Sequence, residues 1–276
     1  MTDKRIVTLQ DISCFGQCSL TVALPILSAC GIETVVVPTA VLSTHTTGFE
    51  GFTCHNLAQD IPAIREHWER IGLKFDAIYT GYLGSAEEIS YVLDLMQSFP
   101  CLRIVDPAMA DNGVLYPAFD AVYVEEMKRL CSAADIILPN ITEASMMVGM
   151  PFETTYDESY IRELLQRLHD LGAKTVVLTG VSYAPGKTGV AVLENGTYWY
   201  YEHRLINRSC HGTGDVYAST FVGALLNGKD ACTAAKIAAD YTVKCIDNTL
   251  ADDSHWYGVK FESLIPELIS AVRNGN

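Results

Sequence analysis

The sequence predicts a three-layer α/β sandwich: a mainly parallel central sheet with an antiparallel hairpin at one edge and helices on both faces. Three observations carry this expectation. Strand-like and helix-like segments alternate almost from end to end, the pattern of right-handed βαβ units. The alternation breaks once, where two strand-like runs flank Asn195-Gly196. The 276 residues are 49% hydrophobic and 19% charged, enough apolar surface for one large core and far from a disordered composition. No repeat, low-complexity tract or linker divides them, so residues 1–276 read as one domain.

Residues 6–10 form a short apolar run that reads as the first strand. Residues 19–29 read as an apolar helix closed by Gly31, and residues 34–41 as a β-branched strand. Helical periodicity over 56–71 ends at Gly72. Residues 77–82 are strand-like, and Ser85 followed three residues on by Glu88 predicts a capping-box helix start. Strands at 102–105 and 135–138 then alternate with helices at 122–132 and 142–148. A helix at 159–171 is stopped by Gly172, and 175–178 is a buried strand. Residues 189–193 and 197–203 pair through Asn195-Gly196, because a type I′ turn needs φ > 0 at both central positions. Helices at 215–226, 231–245 and 261–273 complete the chain.

Lys plus Arg total 19 against 33 Asp plus Glu, for a formal charge of −14 and a pI near 4.8. So acidic a surface repels phosphate backbones and anionic lipid, which argues against nucleic acid or a membrane as partner. No run approaches roughly 18 apolar residues, and the start, Met1-Thr-Asp-Lys-Arg before 6–9, is too short for a signal peptide. Nine cysteines, an odd number without framework spacing, read as reduced thiols in a cytoplasmic protein. An anionic substrate would need positive potential from backbone N–H groups, a helix end or a metal.

Two nucleotide-binding patterns nearly match and fail. Gly186-Lys187-Thr188 resembles the end of a P-loop, but Val181 stands where the first glycine belongs and a strand, not a helix, follows. Gly212-Thr213-Gly214 suggests a dinucleotide fingerprint, but Tyr217 occupies the third small position. A different reading suits this glycine pair. It enters a long helix of small apolar residues and leaves free N–H groups at the helix start, an anion site beside the first-turn Asp215. That carboxylate should stay ionised in the helix dipole and could accept a hydroxyl proton while the N–H groups hold a transferring phosphoryl group. An ordinary glycine turn with Asp215 as a helix-start charge is the alternative on local sequence alone.

Gly212-Thr213-Gly214-Asp215 resembles the anion hole and catalytic Asp of the ribokinase-like kinases, and further segments resemble their pyridoxal kinase branch. Residues 38–49 are similar to its substrate-side strand and loop, 76–84 to its Gly-Tyr segment, 106–116 to its flap, and 134–144 to its Asn-x-x-Glu motif. The resemblance runs from about residue 6 to 249. It implies a ribokinase-like fold, ATP and Mg²⁺ as cofactors, and a homodimer. It makes Asp215 the base and Gly212, Thr213 and Gly214 the anion hole. Asp106, Asn140 and Glu143 would surround the triphosphate, with Asp106 and Glu143 holding Mg²⁺ through water, and Thr179 would touch the triphosphate. Asp11, Thr39, Ala40, His45, Thr46 and Tyr82 would line the substrate pocket with Cys18 nearby, and residues 111–113 would form the mobile flap. Residues 250–259, His255 and Trp256 among them, are candidates for the adenine pocket. By themselves Tyr82 reads equally as a core aromatic, His45 as a satisfied loop histidine, and Asn140 and Glu143 as a helix start.

The chain departs from the family pattern at three points. Asp11 stands where pyridoxal kinases commonly have Ser facing the ring nitrogen. The flap has no Cys, and His211-Gly-Thr-Gly resembles hydroxymethylpyrimidine kinases, which typically carry Cys where this chain has Asp215. The implied activity is phosphorylation of the 5′-hydroxymethyl group of pyridoxal, pyridoxamine or pyridoxine. A hydroxymethylpyrimidine kinase and a non-catalytic B6-binding protein are the alternatives.

Overall fold

A computed structural model describes residues 4–207, 210–252 and 254–274. The first three residues of the signal-peptide argument therefore lie outside the described residues. In chain order the elements begin β1 (Arg5–Ser13), α1 (Leu20–Ala29), β2 (Glu33–Leu42), β3 (Cys54–Asn56), α2 (Ile61–Arg70), β4 (Ala77–Thr80) and α3 (Ala86–Ser98). They continue β5 (Leu102–Val105), β6 (Ala110–Asp111), β7 (Val114–Leu115), α4 (Ala121–Ser132), β8 (Ile136–Ile137), α5 (Ile141–Val148) and α6 (Glu158–Asp170). The last are β9 (Thr175–Val181), β10 (Lys187–Glu194), β11 (Thr197–Arg204), α7 (Thr213–Leu226), α8 (Ala231–Leu250) and α9 (Ile265–Asn274).

One nine-stranded sheet runs β11-β10-β9-β8-β5-β4-β1-β2-β3. Its centre, β9 through β2, is parallel, and β10 and β11 extend one edge antiparallel. Asn195 at φ 50 and Gly196 at φ 74 make the expected type I′ turn. Successive strand residues face opposite cores. Val7, Leu9, Ile78 and Val105 point toward α2 to α6, while Ile6, Tyr79 and Ile104 point toward α1, α7 and α8. Apolar residues on both faces are what a covered parallel sheet requires. The predicted α/β fold holds.

Two local expectations do not. The 56–71 helix splits. Cys54–Asn56 instead adds an antiparallel strand beyond β2, a short turn covers 58–60, and α2 starts at Ile61, where Pro62 needs no N–H partner. The capping box at Ser85 is only half made. Ser85 accepts from the Glu88 N–H, but Glu88 turns its carboxylate to the Gly84 N–H. The full box forms at Asn140 and Glu143.

Candidate active site

Ligands of open α/β sheets lie beyond the carboxyl ends of the strands, and there the predicted residues gather. Asp11 ends β1, Tyr82 follows β4, Asp106 follows β5, Asn140 follows β8, and Thr179 lies on β9 beside it. Helix α7 starts among them. Gly212 is its N-cap at φ 80, and a Cβ there would stand 2.1 Å from the Gln17 carbonyl oxygen. Both conformation and space demand glycine. Gly214 differs: its φ is helical and a Cβ would meet nothing within 4 Å. Packing therefore does not require glycine at 214, and the empty space lies over the free N–H groups of the first turn. Free N–H groups at a helix start are where an anion can bind.

Asp215 sits in this first turn. Burial pushes its carboxyl up to about 7, the Asp11 charge adds to the rise, and a hydrogen bond from the Ser19 backbone N–H opposes it. The expectation of a permanently ionised Asp215 is therefore corrected. A helix dipole worth up to ~1 kcal/mol offsets less than one pH unit, and desolvation exceeds it. A carboxyl poised near neutrality suits a general base.

Asp106 stands after β5 and Glu143 in the first turn of α5. Burial raises both carboxyls; the charges of Glu143 and Asp215 add to the rise at Asp106, and that of Asp111 to the rise at Glu143. Glu143 Oε2 accepts from the Asn140 N–H at 2.8 Å and Oε1 from the Met109 N–H at 3.1 Å. Asn140 Oδ1 accepts from the Glu143 N–H at 2.9 Å, and its Nδ2 donates to the Ala110 carbonyl at 2.8 Å. These two residues thus make the helix start that sequence alone allowed, and they also hold the flap. Gly113 closes the arrangement, its N–H donating to Thr142 Oγ1 at 3.0 Å. The flap is a two-strand hairpin, β6 with β7, turned by Asn112 at φ 51 and Gly113 at φ 80 and backed by Phe152. Thr179 is spent similarly, donating from its N–H to the Pro139 carbonyl at 2.9 Å.

No group of three or more His, Cys, Asp or Glu able to hold a metal occurs among the described residues. Mg²⁺ keeps several waters and needs only one or two carboxylates beside phosphate oxygens. An Asp106 carboxyl raised by the charges of Glu143 and Asp215, with Glu143's oxygens already accepting N–H bonds, fits a water-held ion at Asp106 better than direct ligation by Glu143.

The other side of the site is built from side chains. Between Gln10↔Pro38 and Ile12↔Val41 the β1–β2 register slips, so Thr39 and Ala40 together oppose Asp11. This bulge re-aims the predicted pocket residues. Pro38, which has no N–H to donate within a strand, is the sequence signal for it. Asp11 is buried, pushed up by desolvation, and its Oδ2 accepts from the Ser13 hydroxyl at 3.1 Å. The N–H groups of Cys14 and Phe15 go to the carbonyls of Leu42 and Ser43, so neither is bonded to Asp11. His45 is buried beneath Gly16. Its Nε2–H donates to the Tyr257 carbonyl at 2.8 Å, while Nδ1 has no partner. Thr39 is buried and Ala40 half-buried, but Thr46 is exposed and joined to the others by no hydrogen bond among the described residues. The half-buried Tyr82 ring packs 5.4 Å from Phe119, and burial with the charges of Asp11 and Glu88 raises its hydroxyl to about 12. Cys18 is half-buried, its thiol raised by burial and then by the charges of Asp215 and Asp11.

Sequence reasoning missed Ser19 and Glu88 at this site. Glu88 is fully buried, one oxygen accepts from the Gly84 N–H at 2.8 Å and the other has no partner. Burial pushes it up to about 7, against the lowering by the Gly84 N–H. Beyond Gln17, whose carbonyl abuts Gly212, lies an open cavity of about 450 Å³ lined by Asn248, Ala251, His255 and Lys260. It includes His255 from the predicted adenine region but not Trp256, which stacks on Phe49 with 4.7 Å between ring centroids.

A parallel sheet whose carboxyl ends face a glycine-capped helix with an aspartate in its first turn defines a ribokinase-like kinase. The particular family follows from comparison. The phosphomethylpyrimidine kinase family model matches residues 23–259, and the chain belongs to that family. A Bacteroides thetaiotaomicron VPI-5482 protein, provisionally described as a phosphomethylpyrimidine kinase and solved with pyridoxal, superposes with a TM-score of 0.92 at 35% identity, covering 97% of this chain and 96% of that one. Pyridoxal kinase from Lactobacillus plantarum gives 0.90 at 31% identity, covering 98% of each chain. Among curated relatives, the pyridoxine/pyridoxal/pyridoxamine kinase of Bordetella pertussis is 27% identical over 262 residues, 88% of this chain and 89% of that protein. The hydroxymethylpyrimidine/phosphomethylpyrimidine kinase of Bacillus subtilis is 26% identical over 252 residues, 89% and 83%. A bifunctional thiamine biosynthetic enzyme of Arabidopsis thaliana is 28% identical over 230 residues; these are 81% of this chain but 43% of that longer protein.

Proposed function

We propose that this kinase transfers the γ-phosphoryl group of ATP to the 5′-hydroxymethyl group of a vitamin B6 vitamer: pyridoxal, pyridoxamine or pyridoxine. The observation that carries the reading is Asp215, a carboxyl held near neutrality at the foot of an open helix N-terminus and electrostatically linked to the buried Asp11. Asp215 accepts the hydroxyl proton as the oxygen attacks. The N–H groups of 212–214 stabilise the charge on the transferring phosphoryl group. Asp11 receives the ring nitrogen, Tyr82 and Thr39 flank the ring, and the hairpin at 110–115 shields the phosphates from water. Mg²⁺, when bound, would be held through water by Asp106 and Glu143 and would shield the phosphate charge. The adenine would take the space beyond Gln17, and two copies of the chain would associate as a homodimer. The 35% identical relative solved with pyridoxal supports the vitamer reading.

The family's name and the Bacillus subtilis relative favour a second reading, hydroxymethylpyrimidine as acceptor. A coupled assay of ADP release with pyridoxal, pyridoxamine, pyridoxine and hydroxymethylpyrimidine separates the two. Turnover is expected on the vitamers; a kcat/KM higher on hydroxymethylpyrimidine than on every vitamer reverses the assignment.

A further inference from the structure

Tyr82 and the flap are distant in sequence, yet one half-buried side chain meets both. The Phe119 ring lies 5.4 Å from that of Tyr82, tilted by 33°, and 6.3 Å from that of Tyr116, the residue just after the flap hairpin. Both separations are those of packed aromatic pairs. Among the described residues Tyr82 has no other ring partner. The third neighbour of Phe119 is Tyr123, whose ring stacks on it at 3.7 Å and within 7° of parallel. Tyr123 is itself fixed: it is buried in the first turn of α4, and its hydroxyl donates to the Leu83 carbonyl at 2.6 Å, one residue beyond Tyr82.

The backbone makes the same connection. The Tyr116 N–H donates to the Met109 carbonyl at 2.9 Å and closes the base of the β6–β7 hairpin. The Phe119 N–H in turn donates to the Tyr116 carbonyl at 3.0 Å. That bond closes a four-residue turn with Pro117 at its second position, where proline's fixed φ belongs. A short, stiff turn therefore passes any movement of the flap base to Phe119. An apolar residue just before a helix cap, here Asp120, ordinarily packs on the first turns of its own helix. Phe119 does so through Tyr123, and its ring meets the flap and Tyr82 as well.

We propose that Phe119 is a positioning residue that couples occupancy of the pocket beside Tyr82 to closure of the flap. A heterocycle packed on Tyr82 holds that ring in one orientation, Tyr82 holds Phe119 against Tyr123, and the Pro117 turn carries the restraint to the hairpin at 110–115. The acceptor thus prepares the flap for the nucleotide, and by reciprocity each ligand tightens the other. The inference rests on the kinase reading for what the two ligands are. The link between Tyr82 and the flap is tested without them.

In the ligand-free protein, Tyr82→Ala and Phe119→Leu should each speed backbone hydrogen exchange over 110–116 severalfold. The double variant should exchange no faster than Phe119→Leu, because both changes act through one contact. Unchanged exchange in either single variant, or effects that multiply in the double, overturns the link.

Calorimetric titration then reads the coupling. Pyridoxal should bind the wild-type protein about five- to tenfold more tightly with a non-hydrolysable ATP analogue present than without it. Phe119→Leu should bring that ratio close to one, and Phe119→Tyr, which keeps the ring, should restore it. Were the stack only core packing, Phe119→Leu would melt at a lower temperature and keep the wild-type ratio. That result, or a wild-type ratio of one, overturns the proposal. Wild-type protein inactive on all four heterocycles would refute the kinase reading instead, and the exchange measurement would still judge Phe119.

Discussion

The phosphate end and the ring end of the site are built from different materials. At the phosphate end the groups that matter are backbone: N–H groups at the start of α7, exposed because Gly212 turns the chain and Gly214 leaves space above it. At the ring end they are side chains set on a strand bulge: Asp11 facing Thr39 and Ala40, with His45, Tyr82 and Glu88 around them. A backbone anion hole recognises a phosphate whatever carries it. A wall of side chains recognises one heterocycle, and can be changed without disturbing the chemistry. On the proposed function, the reaction class thus lies in one region and the substrate in the other.

The largest effect expected at the phosphate end is that of Asp215→Asn. It should keep nucleotide binding and lose about 10²- to 10⁴-fold in kcat, the usual range for a general base. Near-wild-type kcat would remove Asp215 from the mechanism. The same variant makes a stability prediction of definite sign. A carboxyl raised to about 7 in the folded state contributes stability below its unfolded value that is lost as pH rises through about 7. Asparagine has no proton to lose. In thermal melts of the ligand-free proteins the stability difference should grow in the variant's favour as pH rises from about 4 to about 7 and level off above that.

Next come the two glycines, which should respond in opposite ways. Gly212→Ala meets a backbone carbonyl at 2.1 Å in a left-handed conformation and should lower stability by roughly 1–3 kcal/mol. Gly214→Ala places a methyl group in open space on a helical backbone and should raise stability by up to ~1 kcal/mol, while KM for ATP rises at least about tenfold if the phosphate occupies that space. Denaturant titration and steady-state kinetics check both. Unchanged KM in Gly214→Ala would mean the space is not where phosphate binds.

The contrast also explains what could be read from the chain alone. Parallel strands announce themselves as β-branched runs, and Asn195-Gly196 names its own turn, so the sandwich and its hairpin edge were legible. So was the glycine pair that opens α7, because a helix start in a left-handed conformation calls for glycine. Cys54–Asn56 was not, since three exposed residues carry no alternation. Nor was the destination of Glu88: spacing places it three residues after Ser85, but only the fold brings the Gly84 N–H to its carboxylate. Asn140 and Glu143 show the limit most clearly. Their motif was legible, yet the bonds they make go to the cap of α5 and to the flap at Met109 and Ala110. Ser19 at positive φ has no sequence signature at all.

At the ring end, Asp11→Ser tests whether the side-chain wall reads the heterocycle. An ionised aspartate only accepts, so it requires a protonated ring nitrogen, whereas serine can also donate. Bound pyridoxal should shift toward the neutral-nitrogen form in the variant and bind about 1–2 kcal/mol more weakly. Absorbance spectra of the bound vitamer across pH give both quantities. An unchanged ring-nitrogen pKa in the two complexes would make Asp11 a structural residue of the bulge.

The smallest expected effect joins the two ends. The Asp11 charge raises the Asp215 carboxyl, but burial is the larger cause. The acid limb of kcat/KM, which reports the base in the free enzyme, should lie near pH 7 in the wild type. Asp11→Asn removes a negative charge, so ionisation of Asp215 becomes easier and the limb moves to lower pH. Since desolvation remains, the displacement should be less than one pH unit. Salt helps to separate the causes: if the Asp11 charge acts across a partly screened gap, raising ionic strength should move the wild-type limb in the same direction and leave the variant nearly still. A variant limb that stays at the wild-type pH, or moves upward, would mean that the two ends are electrostatically independent and that Asp215 is tuned by its burial alone.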